Sequence, residues 1–153
     1  MEARKPRILG TGKPAVAVER EVWIQADSAR VWEVLTDVPR WSRLHRGIAF
    51  ARLQGELAAG TKLHWRVDGM NVTSTLSEVD PERVLAWKGK CLGARIHYRW
   101  DLEPTASGTR VRAVEAVDGV MIRILRGTVR KTVERSLDEW VQGLKRSAEE
   151  SRR

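Results

Sequence analysis

Residues 119–147, GVMIRILRGTVRKTVERSLDEWVQGLKRS, constrain the fold more than any other stretch. Apolar side chains recur at Ile122, Leu125, Val129, Val133, Leu137, Trp140, Val141 and Leu144, at steps of three and four that share one helical face. Arg123, Arg126, Arg130, Lys131, Glu134, Arg135, Asp138 and Lys145 fill the other positions. No proline interrupts the run, so the pattern predicts one helix of about 28 residues, roughly 40 Å long. A helix with so narrow an apolar stripe is not stable alone, and something must cover the stripe. The preceding residues alternate at period two, which predicts an antiparallel sheet as the cover.

Seven strands are expected. The first is 16–25, with Val16, Val18, Val22 and Ile24 on one face and Arg20 as the polar exception there. Asp27 or Ser28 can cap a helix over 28–36 whose buried side is Val31, Trp32, Val34 and Leu35. A second short helix over 38–44 begins with Pro39 in its first turn, where the missing N–H costs nothing. Strands then follow at 48–53, 61–67, 71–79, 84–90, 95–102 and 109–117, closed by turn residues such as Asp68-Gly69, Asp80-Pro81 and Asp118-Gly119.

A chain of 153 residues suits one domain. There is no apolar run near 18 residues and no secretory apolar region, which predicts a soluble, cytoplasmic protein. Cys91 is the only cysteine, so there is no internal disulfide and no metal cluster to build on it. The net charge is +8, but Arg4, Lys5, Arg7 and Lys13 against Glu2 put +3 of it in residues 1–13. Lys145, Arg146, Arg152 and Arg153 against Glu149 and Glu150 put another +2 at the other end. More than half the excess thus sits near the termini, where charge mainly aids solubility. Residues 1–14 are expected to be a flexible basic arm and 149–153 a disordered basic tail. The fragment Gly10-Thr11-Gly12-Lys13 is no phosphate loop: no Ser or Thr follows the lysine, and Pro14 removes a donor.

The order strand, two short helices, six strands, long helix resembles the helix-grip fold of the START-related (SRPBCC) superfamily. Within it the chain is similar to the polyketide cyclase/dehydrase and lipid-transport family. The resemblance is carried by Val31-Trp32-Glu33-Val34-Leu35-Thr36-Asp37 with Trp41, and by Glu78-Val79-Asp80-Pro81 before Leu85-Ala86-Trp87. Trp100-Asp101-Leu102-Glu103-Pro104 and Gly108-Thr109-Arg110-Val111, leading to Glu115 and Gly119, complete it. It implies an α+β fold: a seven-stranded curved antiparallel sheet around the C-terminal helix, one START-like domain over 15–148, and a ligand cavity between sheet and helix. No cofactor and no metal is implied, and the implied partner is a small hydrophobic or polyketide-like molecule.

Strand alternation sorts the cavity side. Leu63, Trp65 and Val67 share a face, as do Leu85 and Trp87, then Ile96, Tyr98, Trp100 and Leu102, then Val111, Ala113, Glu115 and Val117. Trp41, Leu63, Trp65, Trp87, Tyr98, Trp100, Ala113 and Glu115 are the expected lining, with Gly127 of the long helix making room or allowing close packing. Seven tryptophans against one Phe and one Tyr suit an amphipathic guest, since indole adds one N–H donor to a large apolar area. Trp32, Trp100 and Trp140 read first as plain core, whereas Trp41, Trp65 and Trp87 read equally well as core or as cavity wall. Glu115, acidic on an apolar face, is either a polar anchor or acid/base, or a rim residue meeting water or an arginine such as Arg20. His45, His64 and His97 do not cluster, so neither a zinc site nor a histidine triad is expected.

Three functions compete. The first is binding, transport or sequestration of a hydrophobic or aromatic molecule. The second is a polyketide cyclase, aromatase or dehydratase using Glu115, Tyr98 and Ser74 as its polar groups. Aromatase members carry an arginine on the strand before the Val79-Asp80-Pro81 turn, whereas this chain reads Ser74-Thr75-Leu76-Ser77-Glu78, which places binding first. The third is a basic interaction or nucleic-acid module using Arg40, Arg43, Arg46 and the 123–135 helix face, with no nucleic-acid motif beside them.

Overall fold

A computed structural model describes residues 13–150; the expected arm up to residue 12, with its glycine-lysine fragment, and the last three tail residues lie outside the described residues. The chain runs β1 (Val16–Ile24), α1 (Ser28–Thr36), a 3-10 helix (Val38–Arg43), β2 (Ile48–Gln54) and β3 (Lys62–Val67). It continues through β4 (Met70–Asp80), β5 (Val84–Cys91), β6 (Ala94–Pro104), β7 (Thr109–Asp118), α2 (Val120–Ile124) and α3 (Arg126–Glu149). One antiparallel sheet has the order β1-β7-β6-β5-β4-β3-β2. The first strand therefore pairs with the last, and the two short helices carry the chain to the opposite edge. This is the expected helix-grip architecture.

Local chemistry accounts for the joints. The Asp27 carboxylate accepts the Arg30 N–H at 2.8 Å and starts α1. Asp68 and Gly69 both take positive φ (50° and 78°), the two-residue turn whose twist suits a hairpin between β3 and β4. Register shifts between Ile48 and Phe50 and between Leu76 and Glu78 insert bulges, which bend and twist the strands that must curl around a helix.

Inside the curve lies α3, advancing alongside β1. Arg130 donates to the Ala17 carbonyl, Arg20 Nε meets Asp138 at 2.6 Å, and Lys145 Nζ donates to the Trp23 carbonyl at 2.9 Å. Val133, Leu137, Trp140, Val141 and Leu144 form its buried face. On the other flank Gly143 sits against the backbone of Leu44 so closely that a Cβ would collide with the Leu44 carbonyl. The helix also continues one residue into the expected tail, because the Glu149 carboxylate accepts the Gln25 N–H and Lys145 Nζ.

The expectation of one unbroken helix from residue 119 is corrected. The chain breaks at Leu125 (φ −100°, ψ 25°), and Leu125, expected on the apolar stripe, is exposed. Leaving β7 through Gly119 (φ 153°), the chain must first rest Ile122 against the ends of β6 and β7, then turn beneath the sheet. One straight helix cannot do both. Gly127, expected to face the cavity or a tight contact, is exposed, and a Cβ there would meet nothing within 4 Å.

The two helical glycines should therefore respond oppositely to alanine. Gly143→Ala forces backbone apart and should lower unfolding stability in urea by about 2–3 kcal/mol. Gly127→Ala should raise it by about 0.5 kcal/mol through helix propensity alone. An unchanged urea midpoint for Gly143→Ala would mean that the 3-10 helix does not rest on α3.

Candidate functional site

The space between sheet and α3 is occupied by six aromatic rings. Trp41 comes from the 3-10 helix, Trp65 from β3, Trp87 from β5, Tyr98 and Trp100 from β6, and Trp140 from α3. All six are buried. Trp87 stacks on Tyr98 at 4.9 Å between centroids and lies 5.0 Å from Trp41. Trp140 meets Trp41 edge-on at 5.1 Å and Trp100 at 5.6 Å, and Trp65 meets Tyr98 at 5.7 Å. Offset and edge-to-face contacts of this kind add about 0.5–1.5 kcal/mol per pair beyond area burial. Ala113, directly opposite Trp100 in the β6–β7 register, supplies a small side chain beside the indole. The indoles thus touch one another at the centre, where separated walls around a gap were expected.

The donors of these rings are used unevenly. Trp41 Nε1 donates to the Leu35 carbonyl at 2.9 Å, and Trp65 Nε1 to Ser74 Oγ at 3.2 Å. The Nε1 atoms of Trp87, Trp100 and Trp140 are buried with no hydrogen-bond partner, and so is Glu115 Oε1. Most buried polar atoms in folded proteins are paired, so these four orphans, three on the sheet and one on α3, stand out.

Glu115 is 5% exposed and sits opposite Tyr98 on β6 and Val18 on β1. Burial pushes its carboxyl up to about 7; the Tyr98 hydroxyl counteracts this in part, and the negative charge of Asp68 adds to it. The Tyr98 phenol is raised well above its ordinary value, first by burial and then by the neighbouring Glu115 charge. The alternative that Glu115 meets solvent at the rim is overturned by its burial. Arg20 does lie on the inner side, but its guanidinium is taken by Asp138 of α3.

Of the other expected residues, Leu63 is fully buried on the same face as Trp65. Ser74 is buried but belongs to a different cross-strand row (Ser74, Gly89, Ile96, Val117) from that of Leu76, Trp87, Tyr98 and Glu115. Three strand spacings, roughly 14 Å along the sheet, separate β4 from β7. Its hydroxyl serves Trp65, and it does not join Glu115 and Tyr98.

The sequence reading assigned no role to His45, which is also buried. Its Nδ1 accepts the Gly47 N–H at 3.0 Å, so Nε2 carries the proton and donates to Ser136 Oγ at 3.0 Å, with Glu139 Oε2 at 3.5 Å. Burial lowers its pKa, while Glu139, Asp68 and the Ser136 contact work against that shift. The ring is a staple holding the start of β2 to α3, 5.7 Å from Trp140. No local spacing signals it, because its partners are 91 and 94 positions away. Among the described residues no group of His, Cys, Asp or Glu could hold a metal ion.

The raised carboxyl makes stability depend on pH in a definite direction. With a folded pKa of about 7 and an ordinary value of 4.5, Glu115 costs nothing below about 4.5. Between 4.5 and 7 the unfolded chain gives up the proton first, so stability falls as pH rises and then levels off. Glu115→Gln lacks this loss. Its stability relative to the parent should climb by on the order of 3 kcal/mol across that window, read by urea unfolding at stepped pH. A difference that stays flat would mean that the carboxyl is solvated.

Known proteins align with this geometry. No curated protein matches the chain by sequence. By fold it is similar to the hypothetical protein jhp0584 of Helicobacter pylori, with a TM-score of 0.82, 21% identity and 97% of each chain covered. It is also similar to the Zhui aromatase/cyclase from Streptomyces sp. R1128, at a TM-score of 0.73 and 20% identity over 88% of this chain and 93% of that one. The di-domain aromatase/cyclase StfQ of the steffimycin biosynthetic pathway matches at 0.74 and 15%, over 88% of this chain and 50% of its own. At these identities the likeness establishes the fold. The profile described as polyketide cyclase / dehydrase and lipid transport matches residues 15–149, and the chain belongs to that family.

Proposed function

We propose that the chain binds a small hydrophobic or aromatic molecule between the sheet and α3, for transport or sequestration, with Glu115 as its polar anchor. Glu115 carries the reading: a buried carboxyl with one oxygen unpaired, in an interior where the indole N–H groups of Trp87, Trp100 and Trp140 also lack partners. An unpaired buried polar atom costs about 1–3 kcal/mol, and a guest bearing a hydroxyl or carbonyl would relieve several at once. The flat faces of Trp87 and Tyr98 suit a planar guest. Because the rings touch, the guest takes its place by shifting them. The cover that yields is α2 and the first turns of α3, where no residue of α2 is buried. The family description, which joins cyclases with lipid transport, agrees with such a ligand.

A second reading, polyketide cyclase or dehydratase, is favoured by one specific observation. A carboxyl that titrates near 7 is suited to taking and returning a proton at neutral pH, and Tyr98 faces it across the register. The aromatase/cyclases of similar fold make it worth testing. Neither Glu115 nor Tyr98 needs Ser74 for this.

Quenching of tryptophan emission should report binding of planar phenols and ketones. Glu115→Gln, which exchanges a proton-sharing carboxyl for an amide of the same shape, should weaken hydroxylated compounds about tenfold and leave a hydrocarbon of the same shape unaffected. Equal weakening of both would remove Glu115 as the anchor. For the second reading, an aldol-type cyclisation followed by absorbance should show a pH profile inflecting near 7 and lose about 10²–10⁴ in rate in the same variant. A rate indifferent to Glu115→Gln rules that chemistry out.

A further inference from the structure

Among the described residues, six of the eight exposed large apolar side chains lie at one end of the fold: Met70, Leu92, Val120, Met121, Ile124 and Leu125. They stand on three connections that share that end, the β3–β4 turn, the β5–β6 turn and the β7–α3 connection. The connections touch. Cys91 Sγ contacts the Asn71 carbonyl at 3.8 Å, and a Cβ on Gly119 would sit 3.4 Å from Ala94 Cα and from the Gly93 carbonyl. The result is an apolar crest: Leu92 is 90% exposed, Val120 77% and Ile124 67%.

Leu92 is the least expected of them. It holds φ 49° at the first central position of a two-residue hairpin turn, with Gly93 at φ 79°. Asn, Asp or Gly adopt that conformation readily, and a leucine there carries a conformational cost of about 1–2 kcal/mol. Folding stability is not served by paying it for a side chain left in solvent.

The surroundings of the crest are basic. Lys90, Arg95, Arg123, Arg126 and Arg130 flank it. Asp118 alone pairs with Arg95 and Arg123, while Lys90, Arg126 and Arg130 have no acidic partner among the described residues. Asp68, on the β3–β4 turn, is a further acidic group at this end. A second copy docking crest to crest would bring these arginines together, which disfavours it. Apolar side chains spread over two hairpin turns and the short helix α2 present no single flat face for a rigid protein partner. They suit a fluid surface that accepts protruding side chains between headgroups while arginines meet anionic lipids.

We propose that this end of the molecule docks on an anionic lipid bilayer, the crest entering the interface and the arginines lying at headgroup level. No described helix is long and apolar enough to cross a membrane, so the association is peripheral. The proposal does not rest on what the interior binds.

The test is co-sedimentation of the full chain with vesicles of phosphatidylcholine, with and without phosphatidylserine. Binding is expected to phosphatidylserine-containing vesicles alone and to weaken with salt. Arg126→Ala should reduce it about fivefold, the effect of one basic residue near such a surface. Leu92→Asp combined with Ile124→Asp should reduce it more than tenfold, as the loss of two inserted side chains requires. Both substitutions are on exposed positions, and urea midpoints no lower than the parent's will verify the fold. Leu92→Asn, which also removes the apolar tip but relieves the turn, should stabilise the protein while weakening vesicle binding. The proposal is overturned by no binding, or by binding that salt abolishes and the crest variants leave untouched. It is equally overturned if sedimentation of protein alone shows a dimer that Leu92→Asp and Ile124→Asp dissolve, since the crest is then a contact between copies.

Discussion

The fold depends on the fit of the last two-thirds of α3 into the curved sheet, and the fit is decided at Trp140. This side chain is fully buried and lies within ring contact of Trp41, Trp65, Trp87, Tyr98 and Trp100, so one helical position ties together the 3-10 helix, β3, β5 and β6. Contact between Gly143 and Leu44 sets how deeply the helix sits, since the missing side chain lets two backbones meet. His45 and Glu139 then hold the start of β2 to the same helix. The aromatic cluster is thereby assembled from parts of the chain that are distant in sequence.

Against that apolar packing the β7 register places one carboxylate. Val111, Ala113 and Val117 obey the rule that inner positions are apolar, and Glu115 breaks it. An arginine could have neutralised the charge, and Arg20 lies on the neighbouring strand at the right face, yet it turns to Asp138. The carboxyl is left with Tyr98 and with burial, which together leave it poised near neutrality. Other ion pairs lie on the outer face of the sheet, where Arg99 bridges Glu78 and Asp101 and Arg110 reaches Glu21. Proteins retain such local violations chiefly where a site needs them.

What could be read from the sequence follows the range of the interactions involved. Period-two alternation and turn residues located all seven strands, and the Asp27 cap located α1, because each is a matter of a few neighbouring residues. The inner placement of Trp65, Trp87, Tyr98, Trp100 and Glu115 followed from alternation alone. The break at Leu125 did not, since the apolar period runs through it and only the end of the sheet decides where the helix must bend. Nor could Gly127 and Gly143 be told apart: both are glycines in a helical pattern, and only Leu44, 99 positions from Gly143, distinguishes them. His45 was invisible for the same reason. Contact between the indoles is likewise a property of the curved sheet, which brings β3, β5 and the 3-10 helix around one point.

The distribution of burial along α2 and α3 links these parts to function. From Val133 onward the helix is held by rings, by the Leu44 backbone and by β1, whereas from Val120 to Thr132 only Ile122 and Val129 pack against the core. Local opening free energies follow burial, so the first segment can move while the second remains fixed. That lightly packed stretch continues directly from the end of β7 at Asp118, three residues beyond Glu115, and it carries four of the six crest residues. Anything that pulls on the crest therefore acts on the segment that the proposed binding mode requires to yield. A fold anchored at one end of its helix and loose at the other can admit a guest without unfolding, because the contacts that define it lie at the end that does not open.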